Sequence, residues 1–149
     1  MIKTIATNRK AYHDFTIGET FEAGIALTGT EIKSVRAGRV NLRDSYVRPE
    51  DGEMWLVGAH IARYDPGSYM SHEPTRRRKI LLHRKQINNL SSKVAERGLT
   101  LVATRLYLKD SLAKVEIALA KGKKLYNKKE AIARRDIDRE IERAIAKNS

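Results

Sequence analysis

Along the first 120 residues, short β-like runs of apolar positions are interrupted by two windows in which the spacing lengthens to three and four. Phe15–Leu27 is rich in Phe, Ile and Thr and nearly alternates, the signature of a half-buried strand. Thr28-Gly-Thr-Glu31 then fits a capping box, with hydroxyl and carboxylate closing a first helical turn. Gly38 supplies a stop, and Ile32 and Val35 form the inward face. Asn41–Arg48 and Glu53–Ile61 read as strands joined through Pro49-Glu-Asp-Gly52, a hairpin. Residues 64 to 75 hold two prolines and a glycine without periodicity, which predicts a mobile loop. A second helix is expected from His83 to Arg97, where Ile87, Leu90 and Val94 recur at helical spacing and Gly98 follows. Leu99–Leu108 and Lys114–Ala120 form a last strand pair joined by Lys109-Asp-Ser-Leu-Ala113. The expected class is mainly β with short helices, a small closed or partly open antiparallel barrel. An open sheet with helices on one face is the competing architecture.

Composition adds a sign to this body. Thirty Lys and Arg stand against 18 Asp and Glu, a formal charge of +12 in 149 residues. Such an excess points to a polyanionic partner, because neutralising phosphates and releasing their counterions supplies affinity. Nucleic acid leads and an anionic membrane surface follows. The charge is uneven: residues 121–149 carry ten basic side chains against five acidic ones, and the rest of the chain is less densely basic. A boundary near Gly122 therefore separates a body, 1–121, from a basic tail, 122–149. Ile137, Ile141 and Ile145 form one narrow stripe at i, i+4 and i+8 in that tail. So thin an apolar face predicts disorder in the free protein and a helix on a partner. A solvated helix docked on the body is the alternative.

Candidate catalytic chemistry is thin. With no cysteine, disulfides, thiolate chemistry and Cys-ligated metals are excluded. His13, His60, His72 and His83 lack metal-ligand spacing, and the pairs Glu19/Glu22 and Glu50/Asp51 sit in strand or turn settings where acids are usually solvated. Lys121-Gly-Lys-Lys124 lacks the frame of a phosphate-binding loop. No metal or other cofactor is expected. No apolar run reaches membrane-spanning length and the start lacks a leader-like stretch, so a cytoplasmic protein is expected. The basic clusters are more informative. Arg76-Arg-Arg-Lys79 and Arg84-Lys85 place six full charges in ten residues around Ile80-Leu-Leu82, which reads as buried strand. With Asn8-Arg9-Lys10 and Lys121 to Lys129, including Lys123 and Lys124, they suggest an extended phosphate-binding surface. Tyr12, Tyr64, Tyr69 or Tyr126, where exposed, would stack on unpaired bases.

Several short motifs in series add a resemblance. Asn8-Arg-Lys-Ala11, His13, Phe21-Glu-Ala-Gly24, Glu31-Ile-Lys-Ser34, Arg36-Ala-Gly38, Asp44-Ser-Tyr46, Arg78-Lys79 and Lys121-Gly-Lys-Lys124 run in order from about Ile5 to Lys129, and in them the chain resembles the SmpB, or SsrA-binding protein, family. The resemblance implies an OB-fold-like barrel and a tail that is disordered when free. It also implies a function: a non-enzymatic, monomeric adaptor that binds the tRNA-like domain of transfer-messenger RNA (tmRNA) and carries it to stalled ribosomes for trans-translation. A ribosomal structural protein and an RNA-processing enzyme on an OB-like scaffold are the alternatives from other classes.

Carried over by position, the family's RNA-contacting glutamate falls on Glu22, a leucine on Leu81 and a hairpin lysine on Lys114. Pattern alone would place Leu81 in the core. A carboxylate suits an RNA site because it accepts hydrogen bonds from a base or a 2′-OH, which basic side chains cannot do. Arg78 and Lys79 join the expected RNA surface. His13 matches a position facing the ribosomal decoding centre. The family's Asp-Lys-Arg motif in the tail reads Asn127-Lys128-Lys129 here, losing one acid, and Arg134, Arg135 and Ile145 continue the tail. In the family this tail becomes helical along the empty messenger channel of the small subunit.

Overall fold

The structure is a computed structural model that describes residues 2–64 and 72–122. Seven of its strands form one antiparallel sheet that closes on itself. The long strand β2 (Phe15–Ile25) pairs on one side with β9 (Leu112–Gly122) and on the other with the short β7 (Arg78–Leu81). β7 pairs with β5 (Glu53–Val57), β5 with β4 (Tyr46–Glu50), and β4 reaches β8 (Thr100–Lys109) through Val47 and Leu101. β8 then pairs along β9, so six strands make a ring. This is the closed form of the expected OB-like barrel; the open-sheet alternative does not describe it.

Inward positions of these strands, among them Ala23, Ile25, Val47, Met54, Leu56, Ile80, Leu106, Val115 and Ile117, fill the barrel with α3 (Arg84–Arg97). Ile87 and Leu90 of α3 are buried there and Val94 packs against them, as the helical spacing predicts; Gly98 ends the helix at φ 65°. The helix α2 (Gly29–Arg36) begins at the expected capping box, with Thr28 Oγ1 accepting from Glu31 N–H at 3.3 Å and Glu31 Oε1 accepting from Thr28 N–H at 2.9 Å. Its buried face is Glu31, Ser34 and Val35, with Ile32 only partly covered.

Four features depart from the pattern. Ahead of Phe15 lie β1 (Ile2–Thr7), an edge strand on the second half of β8, and α1 (Arg9–Asp14). α1 is one and a half turns long and buries only Ala11, too little for a periodicity to register. The first hairpin is shorter than its apolar runs. Gly58, at φ 83°, ends β5, and Val40–Asn41 (β3) and His60–Ile61 (β6) split off as a separate two-stranded sheet. The last hairpin turns on two residues, Asp110 and Ser111, rather than on the five-residue connection expected, so β8 and β9 are longer than the sequence suggested. Finally, register shifts at Ile17/Thr20 and Ala103/Arg105 switch the outward face. Phe15, Ile17, Val102, Ala118 and Ala120 thereby form a second small core under Ala11 of α1, outside the barrel. The strand β9 ends at Gly122, where the composition changes. The tail and most of the expected loop, residues 65–71, lie outside the described residues.

Candidate functional site

The outer wall of the barrel carries an open groove of ≈ 350 Å³ lined by Glu22, Gly24, Leu81, His83, Gln86 and Lys114. Strand alternation builds it. Ala23 points into the core, so Glu22 and Gly24 face out. Gly24 stands opposite Leu81 on β7 and opposite Lys114 on β9, which brings together three residues that are far apart in the sequence. A Cβ on residue 24 would lie 3.3 Å from Leu81 Cβ, closer than ordinary contact, so glycine leaves room for the leucine. The start of α3 closes the other wall, where Gln86 Oε1 accepts from His83 N–H at 3.3 Å.

The groove's carboxylate is held by its neighbours. Tyr107 Oη donates to Glu22 Oε1 at 2.6 Å, and Lys109 Nζ sits 3.4 Å from Oε2. The tyrosine hydrogen bond, then the Lys109 ammonium, and at longer range the Lys114 charge hold the Glu22 carboxyl below its ordinary value, against a smaller opposing push from burial. The same bond, after burial, pushes the Tyr107 hydroxyl up. Directly opposite Glu22 on β9 is a second acid, Glu116, which is occupied separately: Arg105 Nε donates to it at 3.0 Å and Thr104 Oγ1 at 2.8 Å. An ionised acceptor, an exposed leucine and a free-standing ammonium side by side suit a polar, hydroxyl-rich anion better than either a bare phosphate or an apolar ligand.

Three sequence-based assignments meet in this groove: Glu22, Leu81 and Lys114. Leu81 is 48% exposed, which corrects the reading of Ile80–Leu82 as buried strand; only Ile80 of β7's outer half points inward. The same alternation corrects Arg78. It is fully buried, its Nε donating to Glu31 Oε2 at 2.8 Å and its Nη1 to the Ala59 carbonyl at 2.9 Å, so it offers RNA no surface. Asn8 is also buried. Its Nδ2 donates to the Leu42 and Ala103 carbonyls and its Oδ1 caps α1 at Ala11 N–H, a structural role in place of a phosphate contact. Lys79 remains on the surface, 3.6 Å from Glu53. Arg9, Lys10, His13 and Lys121 form a separate exposed group: Lys10 pairs with Asp44, the His13 ring contacts Asp14 at 3.0 Å, and Lys121 lies opposite Thr16 at the far end of β9. Seven residues separate Lys121 from Lys114, about 23 Å of strand. Lys123, Lys124, Asn127, Lys128, Lys129, Arg134, Arg135 and Ile145 lie outside the described residues.

Sequence reasoning missed Tyr107, Lys109, His83 and Gln86. The first two depend on the hairpin register: the two-residue turn puts Tyr107 opposite Lys114, whereas a five-residue connection leaves the pairing undefined. The last two follow from the N-terminus of α3, which was legible, but not from the sheet edge it caps.

A small, basic, closed β-barrel with a polar groove on its wall, and no cluster of metal-ligating side chains among the described residues, is the class this geometry defines. The model of the SmpB protein family matches residues 5–147, and the chain belongs to that family. It is 60% identical over 144 residues to the SsrA-binding protein of a Roseiflexus species, covering 96% of this chain and 91% of that one. To the SsrA-binding protein of Carboxydothermus hydrogenoformans it is 57% identical over 145 residues, 97% of each. For that of Dehalococcoides mccartyi the figures are 56% over 142 residues, 95% of this chain and 83% of the relative. A solved structure described as "tmRNA-SmpB: a journey to the center of the bacterial ribosome" superposes with a TM-score of 0.69 at 49% identity, covering 85% of this chain and 92% of the other.

Proposed function

We propose that the protein is a monomeric, non-catalytic RNA adaptor of the cytoplasm: its barrel binds the tRNA-like domain of tmRNA through the groove, and it takes this RNA to stalled bacterial ribosomes for trans-translation. The observation that carries the reading is the convergence of Glu22, Leu81 and Lys114, from three strands, on one open groove. The names of the relatives supply the RNA and the ribosome-bound neighbour supplies the destination. Within the groove Lys114 pairs with a phosphate, Glu22 accepts from a base edge or a 2′-OH, and Leu81 covers an unpaired base or sugar. The exposed group of Arg9, Lys10, His13 and Lys121 leads from the barrel toward the tail and faces ribosomal RNA near the decoding centre. The tail, residues 122–149, occupies the empty messenger channel as a helix, its stripe of three isoleucines and its basic face formed on binding.

The chemistry of the groove supports the non-catalytic reading. Its one carboxylate is held below its ordinary value, which makes it a poor proton donor, and the nearby acid Glu116 is engaged by Arg105 and Thr104.

Two variants assayed for two activities test this division. Glu22→Ala is expected to weaken binding of the tRNA-like domain roughly tenfold, the scale of one charge-assisted hydrogen bond, with the circular dichroism unchanged. Truncation after Gly122 is expected to leave that binding within about threefold of the full chain, a loss of only a few non-specific phosphate contacts, while abolishing tagging of a nascent chain on stalled ribosomes. Equal loss of both activities on truncation, or unchanged affinity of Glu22→Ala, would contradict it.

A further inference from the structure

Tyr107 lies beneath the groove without lining it. It is 2% exposed, stands on β8 between Thr4 of β1 and Lys114 of β9, and carries the Arg105 guanidinium 4.5 Å over its ring. Filling that space needs an aromatic ring, and phenylalanine would serve. What the ring alone does not explain is the hydroxyl, which crosses β9 to reach a half-exposed carboxylate on β2 at 2.6 Å, the short range of O–H···O⁻ bonds. A glutamate on the solvent face of a strand ordinarily samples many rotamers. Here Oε1 is taken by a buried, rigid donor and Lys109 lies 3.5 and 3.4 Å from the two oxygens, so Glu22 is fixed before any ligand arrives. A carboxylate has about four acceptor sites; those left over remain for a donor in the groove.

We propose that Tyr107 is a positioning residue for RNA recognition: its hydroxyl holds Glu22 in one conformation, so the groove meets the N–H or 2′-OH donors of its RNA with a preorganised acceptor. This rests on the reading of the groove as an RNA site. Preorganisation matters because an acceptor already ordered loses no rotamer freedom on binding. Direction of charge agrees. The groups facing Glu22 are Tyr107 and Lys109 from β8, Lys114 and Glu116 from β9, and His83 from the start of α3, and of these the Tyr107 bond acts most strongly to keep the carboxyl low. Removing the hydroxyl therefore raises the pH at which Glu22 takes up a proton and stops accepting.

The test uses the full chain as wild type, Tyr107→Phe, Glu22→Ala and the double variant, with the tRNA-like domain of tmRNA as probe, thermal melts as a fold control, and affinity followed from pH 7 downward. Tyr107→Phe is expected to bind roughly three- to tenfold more weakly, with its melting midpoint little changed. Its acid loss of binding should move to higher pH than in wild type, and the double variant should bind no more weakly than Glu22→Ala. Native affinity and native pH profile in Tyr107→Phe, or losses that multiply in the double variant, would overturn the positioning role while a weakened Glu22→Ala keeps the RNA reading intact. Native affinity of Glu22→Ala would instead overturn the RNA reading. Should Tyr107→Phe fail to fold, NMR titration of the Glu22 carboxyl in the wild-type chain decides: a midpoint below 4.5 supports the role and one at or above it overturns it.

Discussion

Arg78 and Leu81 sit three residues apart on one short strand and exchange the places their chemistry suggests, the arginine sealed in the barrel and the leucine in the open. The cause is Glu31. This carboxylate is fully buried at the start of α2, where it completes the capping box and accepts from Arg76 Nη2 at 2.7 Å and from Arg78 Nε at 2.8 Å. Burial alone would push its carboxyl up; the bonds from Arg76, the Thr28 N–H and Arg78 together more than offset this and hold it below the ordinary value of 4.5. Arg78 also donates to the Pro74 carbonyl at 3.0 Å, tying the chain before β7 to α2 and to the end of β5. Glu31→Gln leaves a buried guanidinium without its counter-charge and should cost about 3 kcal/mol in urea or thermal unfolding. The pH dependence carries a sign. A carboxyl whose folded value is lowered contributes stability that is complete above pH 4.5 and is lost as pH falls through the folded value. Wild type should therefore lose stability in acid, and Glu31→Gln should lose less of it over that range. Some acid loss stays in the variant, because Glu22, Glu50 and Glu73 are also held low. An equal acid limb in both proteins would remove Glu31 as a main contributor.

At the scale of elements, two hairpins set the groove's geometry. Both turn on two residues with positive φ: Asp51 and Gly52 at 51° and 77°, Asp110 and Ser111 at 49° and 73°. Asp-Gly is the preferred pair for such a turn, and Ser111 carries a left-handed backbone that a side chain disfavours. Ser111→Gly should raise unfolding stability by about 1 kcal/mol with RNA affinity unchanged, since it relieves strain without altering register. A loss of stability would show that the serine makes a compensating contact. This turn also marks where the sequence stopped being legible. The capping box, α3 with its glycine stop, the long β2 and the first hairpin could all be read from periodicity and turn residues, because each signal lies within one element. Asp-Ser is a weak turn signal, so the register that brings Tyr107 to Glu22 was hidden. So were the two face switches at Ile17/Thr20 and Ala103/Arg105, since a register shift leaves residue types unchanged while reversing what they face. Glu22, Leu81 and Lys114 were found by resemblance; neither charge nor periodicity singles them out, and Leu81 would have been assigned to the core.

At the scale of the molecule, the charge of +12 was legible from composition, but its division was only partly so. The ion pairs on the described body are not all free for a ligand. Arg77 pairs with Glu50 at 2.5 Å and stacks 4.1 Å over Trp55, and Lys93 reaches Glu19 at 3.4 Å, so part of the positive charge is spent on the protein's own acids. Lys10 is likewise paired with Asp44, whereas Lys114, and Arg9 and Lys121 of the exposed group at α1 and the end of β9, are better placed to meet phosphates. The groove and that second group are far enough apart along β9 to touch two different surfaces, which is what an adaptor between one RNA and a ribosome requires. General electrostatic attraction and specific recognition differ in a measurable way, because only the first is shared by every RNA and is steeply weakened by salt, with log K falling by about 0.7–0.9 per neutralised phosphate against log[salt]. The central claim is tested most directly by a gel shift of the full-length protein on the labelled tRNA-like domain of tmRNA, at ~150 mM salt, where weak non-specific binding is largely suppressed, with ordinary tRNA in excess as competitor. The groove reading predicts a shift that survives the competitor; its removal by tRNA at matching concentrations would reduce the barrel to a general RNA binder and contradict the account.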